Sequence, residues 1–350
     1  MAVQGMAQHL DIELSSGCDH RCSHCYNVWT SKEGDPQHGR VKSTRGLETR
    51  ALESLISLAV EKSGAEHLTI TGGEPLLRKD ALHLIRHASS LVPTLQLITN
   101  GSHVDPETAR ALAEAGVRSV QLTFLAGHRE LHDRLKGAVC FDDTLRAALN
   151  LRDVGVPTQC CFVAMAENYR ELEAVMELCS AVGVHAISYN RMSPTGGAIH
   201  HAERLVPTAE QVEQNLDTLE RLGPRYGIRC GTAMPIPPCM IRIERYSWVN
   251  FGFCSTGSDT PHLVMDTQGD IRACNLSSET LGNVTTDDWE SIIGNPYLKG
   301  FKKKIPDVCR GCAYERSCQG GCKESAISIY GDATHAEPFL WMNQGARETL

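Results

Sequence analysis

The sequence lacks a membrane-spanning segment, a recognisable export signal and an excess of basic charge. It has no apolar run near the roughly 20 residues that a membrane-spanning helix requires, which excludes integral membrane function. Residues 1–9 contain no basic stretch followed by an apolar one, so an export signal is missing. Basic charge is not in excess either, because 34 Lys and Arg stand against 42 Asp and Glu. We therefore predict a cytoplasmic protein that binds neither membranes nor nucleic acid.

Cysteine is the residue type that the sequence has in abundance. Hydrophobic residues make up 41% of the 350 positions and charged residues 22%, which is typical of a globular protein with a substantial core. Fifteen cysteines accompany this ordinary balance. Without an export signal a disulfide framework is disfavoured, because the cytosol keeps thiols reduced. Metal or cluster ligation is the better interpretation, and the spacing of the cysteines has to support it.

The first 200 residues alternate between apolar runs rich in β-branched residues and amphipathic helical stretches. The runs are Leu10–Ser15, His67–Thr71, Leu95–Thr99, Ser119–Phe124, Thr158–Met165 and Ala186–Asn190. The helical stretches are Leu47–Lys62, Lys79–Ser89, Pro106–Ala115, Asp142–Asp153 and Tyr169–Ala181. This alternation predicts an α/β fold with a parallel sheet and right-handed crossovers. Six units are too few for an eight-fold barrel, so we expect an open, partial (β/α)6 barrel similar to part of a TIM barrel.

The alternation is expected to stop after residues 194–197. One further helix is predicted at Thr208–Leu222, and the chain is loop-rich and cysteine-rich from Cys230 onward. A β-hairpin and two short helices are expected in this second part, at 264–273, 289–293 and 296–303. We divide the chain into a core barrel at 1–205, a bridging helix and linker at 206–235, and a small extension at 236–350. The extension shows little apolar periodicity, so bound cofactors are expected to stabilise it.

Three cysteines follow the first predicted strand directly, in the pattern Cys18-x3-Cys22-x2-Cys25. Three thiolates would leave one iron of a four-iron cluster open, whereas structural zinc normally takes four protein ligands. This spacing, followed by Tyr26, resembles the radical S-adenosylmethionine (SAM) superfamily. The resemblance implies a [4Fe-4S] cluster whose open iron is chelated by the amino and carboxylate groups of SAM, and reductive cleavage of SAM to a 5′-deoxyadenosyl radical. A structural zinc loop is the alternative.

Further marks of the same family follow the predicted strands. The segment Thr71-Gly72-Gly73-Glu74-Pro75 ends the second strand, and glycines there let the backbone approach a ligand closely. By resemblance, Glu74 contacts the SAM amino group, Thr123 the ribose and Arg191 the carboxylate. Ordinary turn chemistry is the alternative for each. All lie at carboxyl ends of strands, where parallel α/β folds place their sites. The cofactor-binding residues that the resemblance implies are Tyr26, Gly72, Gly73, Glu74, Asn100, Thr123 and Arg191.

The second part of the chain carries seven further cysteines in a recognisable pattern. Cys254-x14-Gly269-x4-Cys274 surrounds the predicted hairpin, and Cys309-x2-Cys312-x5-Cys318-x3-Cys322 follows. Together they resemble the SPASM extension, which holds auxiliary iron–sulfur clusters in peptide-modifying radical SAM enzymes. The resemblance implies one or two auxiliary clusters. The first would be held by Cys239, Cys254, Cys274 and Cys322, and the second by Cys309, Cys312 and Cys318. Zinc is the alternative, and Cys230 competes with Cys239.

The sequence departs from the SPASM pattern at one position. The pattern expects a further cysteine about eighteen residues after Cys322, where this chain has Leu340. The second cluster therefore lacks a ligand or takes a non-cysteine group, for which Glu337, His335 and Asp332 are candidates. The remaining cysteines are interpreted as structural, because free cysteine is often a small core residue. They are Cys140, Cys160, Cys161, Cys179 and Cys230.

The resemblance implies an oxidoreductase-like radical SAM/SPASM enzyme that removes a hydrogen atom from its substrate. A ribosomally made peptide is the first choice, and a small molecule or tetrapyrrole is the second. Sulfatase-type maturation is third, because Asn275 stands where those maturases have an aspartate base and cannot take up a proton. A zinc or electron-transfer protein is the non-enzyme alternative. The sequence does not single out a catalytic acid or base.

Two partners are expected besides the substrate. The first predicted strand begins almost at the start of the sequence, so a separate protein is expected to recognise a leader peptide. An external electron donor such as flavodoxin or ferredoxin is expected to reduce the cluster.

Overall fold

One sheet runs through the whole molecule. The computed structural model describes residues 9–27 and 47–342, so the outer limits of the predicted core and extension lie outside the described residues. Eleven strands hydrogen-bond in the order β11-β10-β9-β1-β2-β3-β4-β5-β6-β7-β8. They are β1 His9–Glu13, β2 His67–Thr71, β3 Thr94–Ile98, β4 Ser119–Thr123, β5 Thr158–Ala164, β6 Ala186–Arg191, β7 Arg229–Thr232, β8 Val249–Phe251, β9 Leu263–Met265, β10 Asp270–Arg272 and β11 Thr280–Asn283.

Several helices pack against this sheet. The helices are α1 Thr49–Ser63, α2 Ala81–Leu91, α3 Pro106–Glu114, α4 Arg129–Lys136, α5 Phe141–Asp153, α6 Leu172–Val182, α7 Ala202–Leu205, α8 Ala209–Tyr226, α9 Trp289–Ile293, α10 Pro296–Phe301, α11 Glu315–Cys318, α12 Lys323–Tyr330 and α13 Pro338–Met342. Among them, α2 packs against β2 and β3, α5 against β4 and β5, and α8 against β7 and β8. In the part of the chain that the structure describes, none of the helices is long and apolar enough to cross a membrane.

The six predicted parallel strands are confirmed as β1 to β6, with ends that shift by one or two residues. Side chains alternate across each strand because its residues point to opposite faces. In β3, Leu95 and Leu97 are buried against the helices, whereas Gln96 between them is half-buried and lines an internal cavity. The core therefore lies between sheet and helices, and the inner face of the partial barrel stays polar.

The expected end of the strand–helix alternation near residue 200 is wrong. β7 pairs parallel with β6, and β8 pairs parallel with β7, so the parallel sheet continues past the predicted boundary. At the other edge, β9 pairs parallel with β1 and β10 antiparallel with β9, which confirms the hairpin. β7, β8 and β9 have only three or four residues each, too few to give a periodic signal. Residues of the predicted extension thus contribute strands to both edges of the core sheet.

Candidate active site

A cavity of about 670 Å³ lies inside the open barrel. The carboxyl ends of the parallel strands surround its mouth, and half-buried polar side chains from the strands line its wall. Segments from both parts of the chain contribute. The residues that line the cavity include His9, Asp11, Cys18, Cys22, Cys25, Tyr26, Thr69, Gly72, Gly73, Gln96, Asn100, Gln121, Thr123, Lys136, Gln159, Arg191, Cys254, His262, Cys274, Asn275 and Cys322.

The two glycines after β2 lie against the backbone of the cysteine loop. Gly73 donates its amide hydrogen to the Ser15 carbonyl at 2.7 Å, and Glu74 donates to the Gly17 carbonyl at 2.7 Å. A Cβ atom on Gly72 would come within 2.3 Å of the Ser15 carbonyl oxygen, and one on Gly73 within 2.2 Å of the Gly17 carbonyl oxygen. The Gly-Gly pair is therefore needed for this close approach, which fixes the start of the loop.

The rest of the cysteine loop is held by two other segments. The end of α4 accepts backbone hydrogen bonds from the loop, from Arg21 to the Lys136 carbonyl and from Ser23 to the Leu135 carbonyl, both at 3.0 Å. On the other side, the amide of Ala198 donates to the Cys25 carbonyl at 2.8 Å. All these contacts use main-chain atoms, so they fix the loop without occupying its thiols.

The geometry of the thiols suits a multi-iron cluster better than a single zinc ion. Cys18, Cys22 and Cys25 all line the cavity, and burial raises the pKa of Cys18 and of Cys25 to about 12. Tetrahedral zinc with bonds of about 2.3 Å needs sulfur atoms about 3.8 Å apart. Among the described residues, which include every cysteine, no three cysteine sulfurs come within 4.8 Å of one another. The residues present thus fit a larger group, in which each thiolate binds a different iron.

Glu74, which is predicted to contact the SAM amino group, is held by hydrogen bonds within the protein. Its side chain is fully buried and accepts hydrogen bonds from the Thr99 hydroxyl at 2.7 Å, the Asn100 amide at 2.7 Å and the Leu76 amide at 3.0 Å. Both carboxylate oxygens are therefore engaged within the protein. Glu74 thereby positions the end of β3, and the Asn100 side chain then donates to Asp19 in the cysteine loop at 2.7 Å. The contact of Glu74 with SAM stays a prediction.

Arg191, which is predicted to contact the SAM carboxylate, lines the cavity and forms a buried ion pair. The guanidinium is 1% exposed, and one of its nitrogens donates to both carboxylate oxygens of Glu337, at 2.6 and 2.5 Å. Its Nε donates to the Pro235 carbonyl at 2.9 Å, and the ring of Phe339 lies 4.7 Å from the guanidinium carbon. These contacts use Nε and one terminal nitrogen of the guanidinium, and the contact to the SAM carboxylate stays a prediction. Glu337 accepts hydrogen bonds from Arg191 and, at 3.1 Å, from the Cys322 amide. Both of its carboxylate oxygens are therefore engaged, so Glu337 does not suit the role of cluster ligand.

Sequence reasoning missed a buried lysine beside the cysteine loop. Lys136, the last residue of α4, is 3% exposed and lines the cavity. Within the described part of the chain its ammonium has no ion-pair or hydrogen-bond partner. Together with burial, which is the larger effect, it lowers the pKa of His24 to about 3. Leu131 and Leu135 share one helix face before Gly137, which indicates a helix that ends at Lys136. Eight residues make only a weak periodic pattern, however.

Three cysteines of the second part reach the cavity. Cys254, Cys274 and Cys322 line the cavity and interact electrostatically with one another. Cys239 does not line the cavity, and it interacts with Cys318 instead. The place of Cys239 among the ligands of the first auxiliary cluster stays a prediction. The five cysteines interpreted as structural are all buried, namely Cys140, Cys160, Cys161, Cys179 and Cys230.

Tyr26, Gly72, Gly73, Asn100 and Thr123 lie at the cavity, as the sequence predicted. Their contacts with a cofactor stay predictions.

Comparison with known proteins supports this interpretation of the site. Residues 12–179 match the Radical SAM superfamily. Mycofactocin maturase MftC of Mycolicibacterium smegmatis is 25% identical over 328 residues, which cover 89% of this chain and 77% of the relative. PqqA peptide cyclase of Rhizobium meliloti is 26% identical, over 93% of this chain and 84% of the relative. AdoMet-dependent heme synthase of Oleidesulfovibrio alaskensis is 25% identical, over 93% and 85%.

Solved structures share the fold over almost the whole chain. Streptococcus suis SuiB bound to precursor peptide SuiA superposes with a TM-score of 0.73 at 17% identity, covering 96% of this chain and 76% of SuiB. Native anSMEcpe with bound AdoMet gives a TM-score of 0.71 at 18% identity, covering 97% and 96%. Both are radical SAM/SPASM enzymes with partial TIM barrels, which confirms the predicted fold class. Because the superfamily match spans the cysteine loop and strands around the cavity, residues 12–179 form a radical SAM domain.

Proposed function

We propose that this enzyme modifies a ribosomally made peptide by removing a hydrogen atom from one of its residues. The observation that carries the proposal is one shared cavity, which is lined by the three-cysteine loop and by three cysteines of the second part. A substrate held there lies between the two cysteine groups. The relatives MftC and PqqA cyclase are named as a maturase and a peptide cyclase, and SuiB binds a precursor peptide.

The wall of the cavity suits a peptide. Gln96, Gln121 and Gln159 present amide groups from three adjacent strands, and Gln159 donates to the side-chain oxygen of Gln121 at 3.3 Å. Amides of this kind can donate to and accept from the main chain or polar side chains of a peptide. The volume of about 670 Å³ falls within the usual range of ligand sites, and holds a cofactor with part of a substrate rather than a whole precursor.

The cofactor site would be built from strand ends. Cys18, Cys22 and Cys25 would hold a [4Fe-4S] cluster, which supplies the electron that converts SAM to a 5′-deoxyadenosyl radical. Gly72 and Gly73 line the cavity after β2, and Thr123 lines it at the end of β4, so these residues would border SAM. Closure of the cavity around these groups would exclude water from the radical.

Lys136 is proposed to bind the carboxylate of SAM, in place of Arg191. A buried ammonium without a protein partner has a strong preference for an anionic ligand. Replacing Lys136 with methionine, which keeps most of its length, is expected to weaken SAM binding about 10- to 150-fold. This corresponds to about 1.5–3 kcal/mol for one charge-assisted hydrogen bond. Equilibrium dialysis of cluster-loaded protein measures the affinity, with Arg129→Met on the exposed face of α4 as the matched control. Equal affinities in the two variants would contradict this role.

Anaerobic turnover with candidate precursor peptides tests the proposed function. Purified, cluster-loaded enzyme is incubated with SAM, dithionite and short peptides encoded beside its gene. We expect a change in peptide mass that increases together with 5′-deoxyadenosine. A haem precursor in the same assay represents the second candidate class, to which the heme synthase relative points. Conversion of the haem precursor, with every peptide unchanged, would contradict the proposal.

We further propose a separate leader-binding protein, an external donor such as flavodoxin or ferredoxin, and a cytoplasmic location. The location is supported by ten cysteines that cluster assembly needs in the reduced form.

A further inference from the structure

Three potential metal ligands converge on the cavity wall away from the cysteine loop. His9 and Asp11 lie on the same face of β1, and His262 comes immediately before β9. The parallel register, with Leu10 opposite Leu263, brings His9 and His262 side by side. Both Nε2 atoms approach the same oxygen of Asp11, at 3.3 Å from His9 and 2.7 Å from His262. The neighbouring strands thus build the cluster from residues 251 positions apart.

The spacing of these atoms fits one divalent cation. Ligands that are adjacent in an octahedral site with bonds of about 2.0–2.2 Å lie about 3 Å apart. The two nitrogen–oxygen distances, 2.7 and 3.3 Å, lie on either side of that value. The two imidazole rings stack with centroids 4.1 Å apart, an arrangement that two protonated rings would oppose by charge repulsion. A shared cation removes that conflict, because it binds both rings in their neutral form.

One neighbouring group fixes the carboxylate in the way that outer-shell partners do around metals, because the Asn275 amide donates to the second oxygen of Asp11 at 2.5 Å. The Thr69 hydroxyl lies 2.7 Å from Nε2 of His9, the proposed ligand nitrogen, so a bound ion would take the place of this hydrogen bond. Asp11 is 2% exposed, whereas the His9 and His262 side chains are 38% and 39% exposed and line the cavity. A bound ion would therefore keep coordination positions open toward the cavity.

We propose that His9, Asp11 and His262 bind a first-row divalent metal ion whose open positions face the cavity. Two imidazoles and one carboxylate suit ions such as Fe²⁺, Mn²⁺ and Zn²⁺. The ion would hold an oxygen or nitrogen donor of a molecule in the cavity. This site shares no residue with the cysteine groups, so the proposal does not depend on the chemistry of the proposed function.

Titration with Mn²⁺ tests the site without a substrate. Mn²⁺ is added anaerobically to the cluster-loaded enzyme, and the room-temperature electron paramagnetic resonance signal reports free Mn²⁺. We expect one bound ion per chain. His262→Gln, at a half-exposed side chain, is expected to weaken binding about 100-fold or more, since even outer-shell changes cost about 10–100-fold. Asp11→Asn is expected to have the same effect, and circular dichroism with iron content reports whether each variant is folded.

His67→Gln is the matched control, because this exposed imidazole lies 6.3 Å from the His9 ring and outside the cluster of ligands. It should bind Mn²⁺ as the wild type does. Absence of Mn²⁺ binding in the wild type would overturn the proposal, and so would binding that His262→Gln and Asp11→Asn leave unchanged. In either case the three side chains form a hydrogen-bonded ion pair and nothing more.

Discussion

Arg191→Met is expected to destabilise the protein severely. Arg191 and Glu337 are 1% and 0% exposed, so removing the guanidinium leaves an unpaired carboxylate in the interior. Breaking a buried ion pair in this way costs about 3–5 kcal/mol, a large share of the stability of most proteins. The replacement also removes the hydrogen bond to the Pro235 carbonyl and the contact between the guanidinium and the Phe339 ring. Thermal unfolding of the anaerobic, cluster-loaded protein, followed by circular dichroism, measures the effect.

Two further variants separate the ion pair from general damage. The double replacement Arg191→Met with Glu337→Leu removes both charges, and we expect it to recover much of the lost thermal stability. Arg129→Met breaks the exposed pair between Arg129 and Asp142, whose side chains are 69% and 44% exposed, and should cost only about 0–1 kcal/mol. If the single Arg191 variant unfolded at the same temperature as Arg129→Met, the buried pair between Arg191 and Glu337 would not stabilise the protein as expected.

Replacing Cys18, Cys22 and Cys25 together by alanine is expected to abolish SAM cleavage. The three thiolates are the whole protein ligand set of the loop, so no partial site remains. The loop should keep its path, because Ser15, Gly17, Arg21 and Ser23 are held through main-chain atoms that alanine leaves in place. Iron bound near Cys254 should also remain, since that group is built from other strands and helices. The measurement is iron and sulfide content together with SAM consumption.

A control for this triple variant is Cys160→Ala. Cys160 is fully buried in β5 and packs in the core, so its loss should leave cluster content and SAM cleavage close to wild type. A triple variant that lost all its iron would show that the two cysteine groups do not assemble independently. That result would contradict the separation described here.

The sequence predicted the features that short stretches of chain encode. Strands β1 to β6 each carry enough β-branched and apolar residues to give a local signal, and the cysteine spacing lies within eight residues. The Gly-Gly pair was predicted as a place of close approach, and the structure shows that the approach is to the cysteine loop. These features need no knowledge of distant contacts.

The features that the sequence did not predict depend on contacts between distant residues. Arg191 forms an ion pair with Glu337 across 146 positions, a contact for which the sequence gives no local signal. Lys136 lies beside the cysteine loop because the end of α4 forms hydrogen bonds with that distant segment. The cluster of His9, Asp11 and His262 arises from a parallel register between β1 and β9, and a three-residue strand gives no periodic signal for such a pairing.

Quantifying 5′-deoxyadenosine tests the central claim most directly. Wild-type enzyme and the triple cysteine variant, both loaded with iron and sulfide under anaerobic conditions, are incubated with SAM and dithionite. The wild type should form 5′-deoxyadenosine and methionine in equal amounts, and the variant should form neither while it keeps its remaining iron. Equal 5′-deoxyadenosine from both proteins, or none from a wild type with all its clusters, would contradict the assignment of Cys18, Cys22 and Cys25.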